Sequence, residues 1–192
     1  DEAHNLVDRA RQMYSATLVK EDFLKCRNII KDMDKRLASA LDRCNKYLLS
    51  LKRSCDKEYI LVDDCGTFPN SLSACFSYMQ KFLDKNKKNT AVCDEIMDFF
   101  FAVRHFLNMY DCADEKYVTY AELDVEGNLL LHLYCVDPSG NVALRLSQGR
   151  TAVMFSATFL PVNYFKEMLT GNIEDYAVYA HSPFDTSNKR II

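Results

Sequence analysis

Glu21 to Lys57 runs EDFLKCRNIIKDMDKRLASALDRCNKYLLSLKRSCDK. Within it Ile30, Met33, Leu37, Leu41, Cys44, Leu48, Leu51 and Cys55 recur every three or four residues with no Gly or Pro between them, the spacing of one face of an α-helix. The pattern predicts a single long amphipathic helix over about 21–57, with a narrow apolar seam and a basic outer surface. A seam that narrow requires a partner helix, because intrinsic propensity leaves most of a helix's stability to tertiary packing.

Toward the N-terminus, Leu6, Ala10, Met13 and Thr17 lie at helical spacing, which predicts a first helix ending near Lys20. Toward the C-terminus, Tyr59 to Val62 is a short extended or turn segment, and Gly66 and Pro69 punctuate the connection. Asn70 or Ser71 can cap a third helix with Leu72, Cys75, Phe76, Met79 and Phe82 or Leu83 inward. A fourth helix over Thr90 to Tyr110 carries a broad aromatic face through Phe99, Phe100, Val103 and Phe106, and such spacing marks core far more often than a base-stacking surface. The period then changes to two. Tyr117 to Val125 and Leu129 to Val136 form two extended runs joined through Glu126-Gly127-Asn128, a hairpin. Asp137 to Gly140 suggests a turn, Thr151 to Phe155 a buried strand, Asn163 to Leu169 a helix, and Ala177 to Ala180 a further strand. The fold class expected is α+β, mainly α, with about four helices, one of them long.

Composition narrows the function. A chain of 192 residues that is 48% hydrophobic with only 5 Gly and 4 Pro is ordered and has little room for linkers. The net charge of -3 argues against coating nucleic acid or an anionic membrane with the whole surface. The charge is uneven, however: between Arg9 and Lys57 stand 13 Lys or Arg against 6 Asp or Glu, so contact with phosphate falls on the first third or on Lys85, Lys87 and Lys88. Eight cysteines without C-x2-C pairs, on apolar faces, suit reduced thiols that pack as small hydrophobes in a cytoplasmic setting. No apolar run suggests a membrane span. His4, His105, His132 and His181 show neither H-x3-H nor H-E-x-x-H spacing, which leaves a metal hydrolase with little support.

Two short segments carry chemistry. Asp1-Glu2-Ala3-His4 pairs two carboxylates, one suited to hold the Mg²⁺ that bridges nucleotide phosphates and one to polarise an attacking water. Ser156-Ala157-Thr158 follows the apolar run Ala152 to Phe155 and precedes Leu160-Pro161, placing small hydroxyls at a strand end. In this order, with Asn5-Leu6 after the first segment, Tyr134 to Ser139 between them and Ser182-Pro183-Phe184-Asp185 at the end, the chain resembles the XPD/DinG family of superfamily 2 DNA helicases from motif II to just past motif III. Phe159, where the family often has Leu, is a departure that touches packing.

The resemblance implies three parts: residues 1–8 as the end of the first RecA-like motor domain, 9–135 as the arch insertion with its hairpin, and 136–192 as the return to the motor core and the crossing toward the second domain. It implies an ATP-dependent 5′-3′ DNA helicase in which Asp1 coordinates Mg²⁺ and Glu2 is the general base. His4 would link the nucleotide and DNA sites, and Ser156 and Thr158 would couple hydrolysis to movement. The arch would guide single-stranded DNA over a basic edge. Arg9, Arg11, Lys25, Arg27, Lys35, Arg36, Arg43 and Lys46 are the candidates for DNA contact. Family members often carry an iron-sulfur cluster, but its ligands belong upstream of motif II and the eight cysteines here do not replace them. No G-x-x-x-x-G-K-[ST] loop occurs, and the chain opens on a motif without Met, so it is expected to be a piece of a longer enzyme, inactive alone and completed by the remainder of the motor. A competing reading makes the arch chiefly a docking platform for protein partners. Without its motor neighbours, the Thr151 to Phe155 strand is expected to pair with the hairpin or with another copy.

Overall fold

A computed structural model describes residues 2–56 and 58–181. Among these residues the chain is α+β, with seven α-helices and one four-stranded antiparallel sheet. Contacts divide it into two compact units, one of Val7–Pro138 and one joining the residues up to Leu6 with those from Ser139 onward. Asp1 and the Ser182 to Asp185 segment lie outside the described residues.

The larger unit begins within α1 (Leu6–Met13), at Val7, and continues into β1 (Ala16–Val19). The helical spacing predicted one helix to Lys20, but it stops at Met13 and the chain turns extended. Ser15 donates its hydroxyl to Arg11 O at 2.6 Å, and Thr17 and Val19 are β-branched residues that suit a strand. Pairing with the hairpin then overrides the local period. The strands run in the order β1, β4 (Leu129–Cys135), β3 (Tyr117–Leu123), β2 (Tyr59–Leu61), with Ala16 opposite Leu133, Thr119 opposite Leu133 and Ile60 opposite Ala121.

The predicted hairpin is thus present, and its turn is held by one side chain. The Asp124 carboxylate accepts from the amides of Glu126 and Asn128 at 2.9 and 2.8 Å, while Gly127 takes φ 78°, a left-handed conformation open to Gly without steric cost.

The predicted long helix is two helices, α2 (Lys20–Ile30) and α3 (Lys35–Ser54). The break falls at Lys31 to Asp34, because the Asp34 side chain accepts from the amides of Arg36 and Leu37 at 2.9 and 3.0 Å and starts a new helix. Folding back makes α2 the partner that the seam of α3 needed. Ile30, Leu37, Leu41, Cys44 and Leu48 are fully enclosed, and Met33, now in the turn, is exposed.

The third helix, α4 (Phe68–Lys85), begins earlier than Asn70 or Ser71, with Thr67 at its N-cap and Pro69 in its first turn, where a missing N–H costs nothing. The fourth, α5 (Thr90–Asp111), matches its predicted span, and its aromatic face is core. Phe99 meets Phe23 edge-on at 4.8 Å, and Phe100 stacks on Phe76 at 5.0 Å. Helices α2, α3 and α5 cover one face of the sheet, burying Ala16, Leu18, Ala121, Leu129, Leu131 and Leu133.

A small ionic cluster ties these layers together. The Glu21 carboxylate accepts from Lys52 Nζ at 2.7 Å and from Leu129 N at 3.1 Å, and the buried Lys20 Nζ lies 3.6 Å away. One side chain therefore joins the start of α2, the end of α3 and the start of β4. Burial pushes the Glu21 carboxyl up, but the hydrogen bond from Lys52, with its own backbone amide and the charges of Lys20 and Lys52, sets it below its ordinary value of 4.5.

The eight cysteines are free thiols, and all but Cys112 are buried. Burial, with a smaller contribution from the Asp22 charge, pushes the Cys26 thiol up to about 12, which keeps it protonated and inert. No described helix is long and apolar enough to cross a membrane.

In the smaller unit, α6 (Ser139–Leu146) packs on α7 (Val162–Thr170). A turn was expected at Asp137 to Gly140; Ser139 and Gly140 instead open α6. Thr151 to Phe155 is not a strand, and Val153 is 86% exposed. Its apolar run satisfies the sequence rule for a buried strand, but the hairpin that was to pair with it is already flanked by β1 and β2. Ala177 to Ala180 is likewise exposed and without strand structure, for its apolar residues find no described ladder.

Two variants test this assembly. Asp34→Ala should lower the unfolding free energy by about 1 kcal/mol in denaturant titration, the usual worth of an N-cap. Glu21→Gln should cost about 2 kcal/mol near neutral pH, since it leaves Lys20 buried beside an uncharged partner. A carboxyl held low by the fold stabilises above its unfolded value and loses that effect as pH falls through its folded value. The gap between wild type and Glu21→Gln should therefore shrink steadily below about pH 4.5.

Candidate functional site

The smaller unit brings together the two segments that carry the sequence signal, although 152 positions separate His4 from Ser156. A single 3-10 turn over Ala3–Asn5 is the first element among the described residues, closed by Asn5 N donating to Glu2 O at 3.0 Å. Ala3 N donates to Phe155 O at 3.2 Å, which sets the turn beside the end of the apolar run. His4 Nδ1 then stands 2.7 Å from Ser156 Oγ and 3.1 Å from Glu2 Oε2.

Hydrogen-bond chemistry assigns the proton. A carboxylate only accepts, so Nδ1–H serves both Glu2 and Ser156, leaving His4 Nε2 as the acceptor nitrogen. Ser156 Oγ also accepts from Thr158 N at 3.2 Å and reaches Thr158 Oγ1 at 3.3 Å, so its own hydroxyl hydrogen is directed at Thr158. The result is a relay of Glu2, His4, Ser156 and Thr158. Its acidic end is 60% exposed and its histidine is half-buried.

Glu2 is the one non-glycine among the described residues with a left-handed backbone, φ 55° and ψ 36°. Such a conformation costs about 1–3 kcal/mol in a side-chain-bearing residue and is found disproportionately at functional sites. Here it turns the carboxylate back over His4.

Chemically, the arrangement offers an exposed carboxylate oriented by an imidazole, which is what a general base toward water needs. It also places a hydroxyl pair at that imidazole, Ser156 within hydrogen-bond reach of the ring and Thr158 within reach of Ser156. Asp1, the expected Mg²⁺ ligand, lies outside the described residues. The sequence signal found the side chains of the relay but not the Ala3 amide and Phe155 carbonyl that align it, since backbone groups carry no residue signature.

The eight basic candidates, all in the larger unit, separate into two groups. Arg11 donates Nη1 to Asp8 at 2.9 Å and Nε to Val136 O at 3.1 Å, Lys25 pairs with Asp22 at 3.1 Å, and Arg27 bridges from α2 to Asp42 of α3 at 3.1 Å. Their charges have partners within the fold, in exposed pairs of the kind worth at most about 1 kcal/mol. Arg9, Lys35, Arg36, Arg43 and Lys46 are exposed and make no ion pair among the described residues. Arg53 of α3 is a further exposed cation without an ion pair among the described residues.

The sheet face away from the helices is partly apolar: Tyr59, Leu61, Val118 and Tyr134 are exposed, and Tyr120 stacks on His132 at 4.6 Å. Burial lowers the His132 imidazole, and the adjacent Glu122 opposes this without reversing it.

No family model and no curated protein matches the chain.

Ser156→Ala removes the hydroxyl that His4 meets. The loss of about 1 kcal/mol should raise the hydrogen-exchange rate of the Ala3 amide roughly five-fold and leave amides of the Leu129–Cys135 strand unchanged.

Proposed function

We propose that the chain is a segment of an ATP-dependent 5′-3′ DNA helicase of the XPD/DinG type. In this reading the smaller unit is part of a RecA-like motor and the larger unit is the arch inserted between motifs II and III. The observation that supports it is the meeting of Glu2 and His4 with Ser156 and Thr158, the residue types that a motor of this kind needs beside one nucleotide. Glu2 is the general base, and His4 holds its carboxylate in position through Nδ1–H. Ser156 and Thr158 report the position of His4 to the chain beyond, which couples hydrolysis to movement. Asp1 would hold the Mg²⁺, whose role when bound is to neutralise charge on the nucleotide phosphates. The 192 residues contain no phosphate-binding loop, so hydrolysis belongs to the complete motor, where an iron-sulfur cluster would take its ligands from outside this segment.

A second reading, the larger unit as a platform for a protein partner, is favoured by the exposed Tyr59, Leu61, Val118 and Tyr134 on the open sheet face, since contiguous exposed apolar groups mark interfaces. The two are separable by measurement in the complete enzyme. Glu2→Gln should reduce DNA-stimulated ATP hydrolysis by about 10²–10⁴-fold, the usual worth of a positioned base. His4→Ala and Ser156→Ala should each reduce it, and the double variant should be little worse than either single one, because they break the same contact. Full hydrolysis in Glu2→Gln would refute the role of Glu2, and no DNA-stimulated hydrolysis by the wild-type enzyme would refute the helicase reading and leave the platform.

A further inference from the structure

The register of the sheet decides what its open face carries. Across β2 and β3, Tyr59 stands opposite Glu122 and Leu61 opposite Tyr120, and Tyr120 in turn stands opposite His132 of β4. Side chains alternate along a strand, so with Ala121, Leu131 and Leu133 buried under the helices this set faces the other way. Tyr59 is 54% exposed and Leu61 62%. Glu122 is the one Asp, Glu, Lys or Arg among the residues of the four strands. A single carboxylate therefore stands on a face otherwise built of rings, aliphatic groups and small polar ones.

No cation of the fold answers that charge. Glu122 has no ion pair with Lys or Arg among the described residues. Its neighbour is His132, whose Nε2 lies 3.2 Å from Glu122 Oε1 without the alignment of a hydrogen bond. Burial lowers that imidazole, so near neutral pH it brings no full positive charge. His132 is positioned instead by Thr17 Oγ1 at 2.9 Å and by the Tyr120 ring stacked on it at 4.6 Å. Tyr59 and Tyr120 meet at 6.3 Å with their planes 78° apart. Two electron-rich rings at a steep angle, next to a carboxylate, are the parts from which cation cages are made.

The sheet edge supplies the approach. β2 ends the strand order and pairs with β3 alone, so its other edge carries backbone groups that can accept a further strand. An open cleft of about 670 Å³ adjoins it, lined by Ser54, Asp56, Glu58, Tyr59, Ile60 and Leu61. This described lining holds two carboxylates and no cation, so the cleft and Glu122 share one sign of charge. Phosphate, whether of nucleic acid or of an anionic lipid, is repelled here. In a symmetric pairing of two copies the same acidic surface would meet itself. The complement is an extended peptide of positive charge, which as an added strand turns every second side chain over the face. Arginine fits best, because its flat guanidinium stacks on aromatic rings and meets a carboxylate bidentately.

We propose that the free edge of β2 and the adjoining open face form a docking site for an extended basic segment of a partner protein, one of whose arginine side chains lies against Tyr59 and Tyr120 and pairs with Glu122. This site rests on the platform reading of the larger unit and names the chemistry that the platform recognises.

The test follows the amide resonances of the full chain, isotope-labelled, as a heptapeptide of alternating valine and arginine is added. Saturating shifts should centre on Tyr59–Leu61 and on Tyr120 and Glu122, and the same peptide with citrulline or glutamate in place of arginine should cause none. Glu122→Gln, which keeps the shape of the side chain, should weaken binding by about ten-fold or more, the loss expected of a charge-assisted hydrogen bond. Tyr59→Ala should weaken it by about two- to five-fold, the worth of an exposed cation–π contact. Asp94→Asn with Glu95→Gln, which removes two exposed carboxylates of α5, should change nothing, and each variant should keep the wild-type spectrum away from its own substitution. No shifts in the wild type, equal weakening by the α5 variant, or the same resonances moved by oligothymidylate would overturn the site, the last in favour of a nucleic-acid surface. Shifts on the sheet that survive Glu122→Gln and Tyr59→Ala unchanged would overturn the arginine contact and keep the platform, whose own test is the hydrolysis of the complete enzyme.

Discussion

The larger unit depends on the pairing of β1 with β4, which joins Ala16–Val19 to Leu130–Leu133 and so ties the chain's entry into this unit to its exit. Closing a loop of this length costs about 4 kcal/mol of chain entropy beyond a constant. Burial of Leu18, Leu131 and Leu133, at about 2 kcal/mol each, exceeds that cost. Ser15 reinforces the closure. Its Oγ accepts from Cys135 N at 2.9 Å while donating to Arg11 O, and its carbonyl lies 2.9 Å from His105 Nε2 of α5. Arg11 adds a bond to Val136 O. An insertion that returns to its point of departure can grow to more than a hundred residues without separating the segments on either side of it.

Within this unit the layers divide the work between apolar and charged groups. The sheet and helices α2, α3 and α5 share one core, in which thiols such as Cys26 behave as small hydrophobes because burial keeps them protonated. The Glu21 cluster adds direction to that packing, since only one arrangement of α2, α3 and β4 lets a single carboxylate serve Lys52 and the Leu129 amide. The basic face of α3 lies outside both systems, and its charges are unspent for that reason.

How much of this was legible in the sequence varied with the kind of signal. Periodicity found the buried faces of α3 and α5 nearly residue by residue, and Glu126-Gly127-Asn128 announced the hairpin, although not the Asp124 carboxylate that holds its turn. The break between α2 and α3 was less visible: Asp34 interrupts no apolar period, and only its capping bonds reveal a new start. β1 was misread as helix because four residues are too few to display a period of two, and Thr17 happens to continue the helical spacing from Met13. Thr151 to Phe155 failed the other way, since its apolar composition satisfies a strand rule that still needs a paired neighbour. The hydrogen-bonded set of Glu2, His4, Ser156 and Thr158 was legible only as two separate short segments, and the structure brings their side chains together. The sorting of basic residues into engaged and unengaged was not legible, since it turns on partners such as Asp42 and Val136 distant in sequence.

The central claim is that the opening turn and the Ser156 turn are joined by direct bonds across the whole insertion. The most direct test is the scalar coupling transmitted through a hydrogen bond between the Ala3 amide nitrogen and the Phe155 carbonyl carbon, read by NMR on isotope-labelled chain, with nuclear Overhauser contacts from His4 to Ser156. The account predicts both the coupling and the contacts. Their absence in a spectrum that shows the β1 to β4 ladder intact would contradict it.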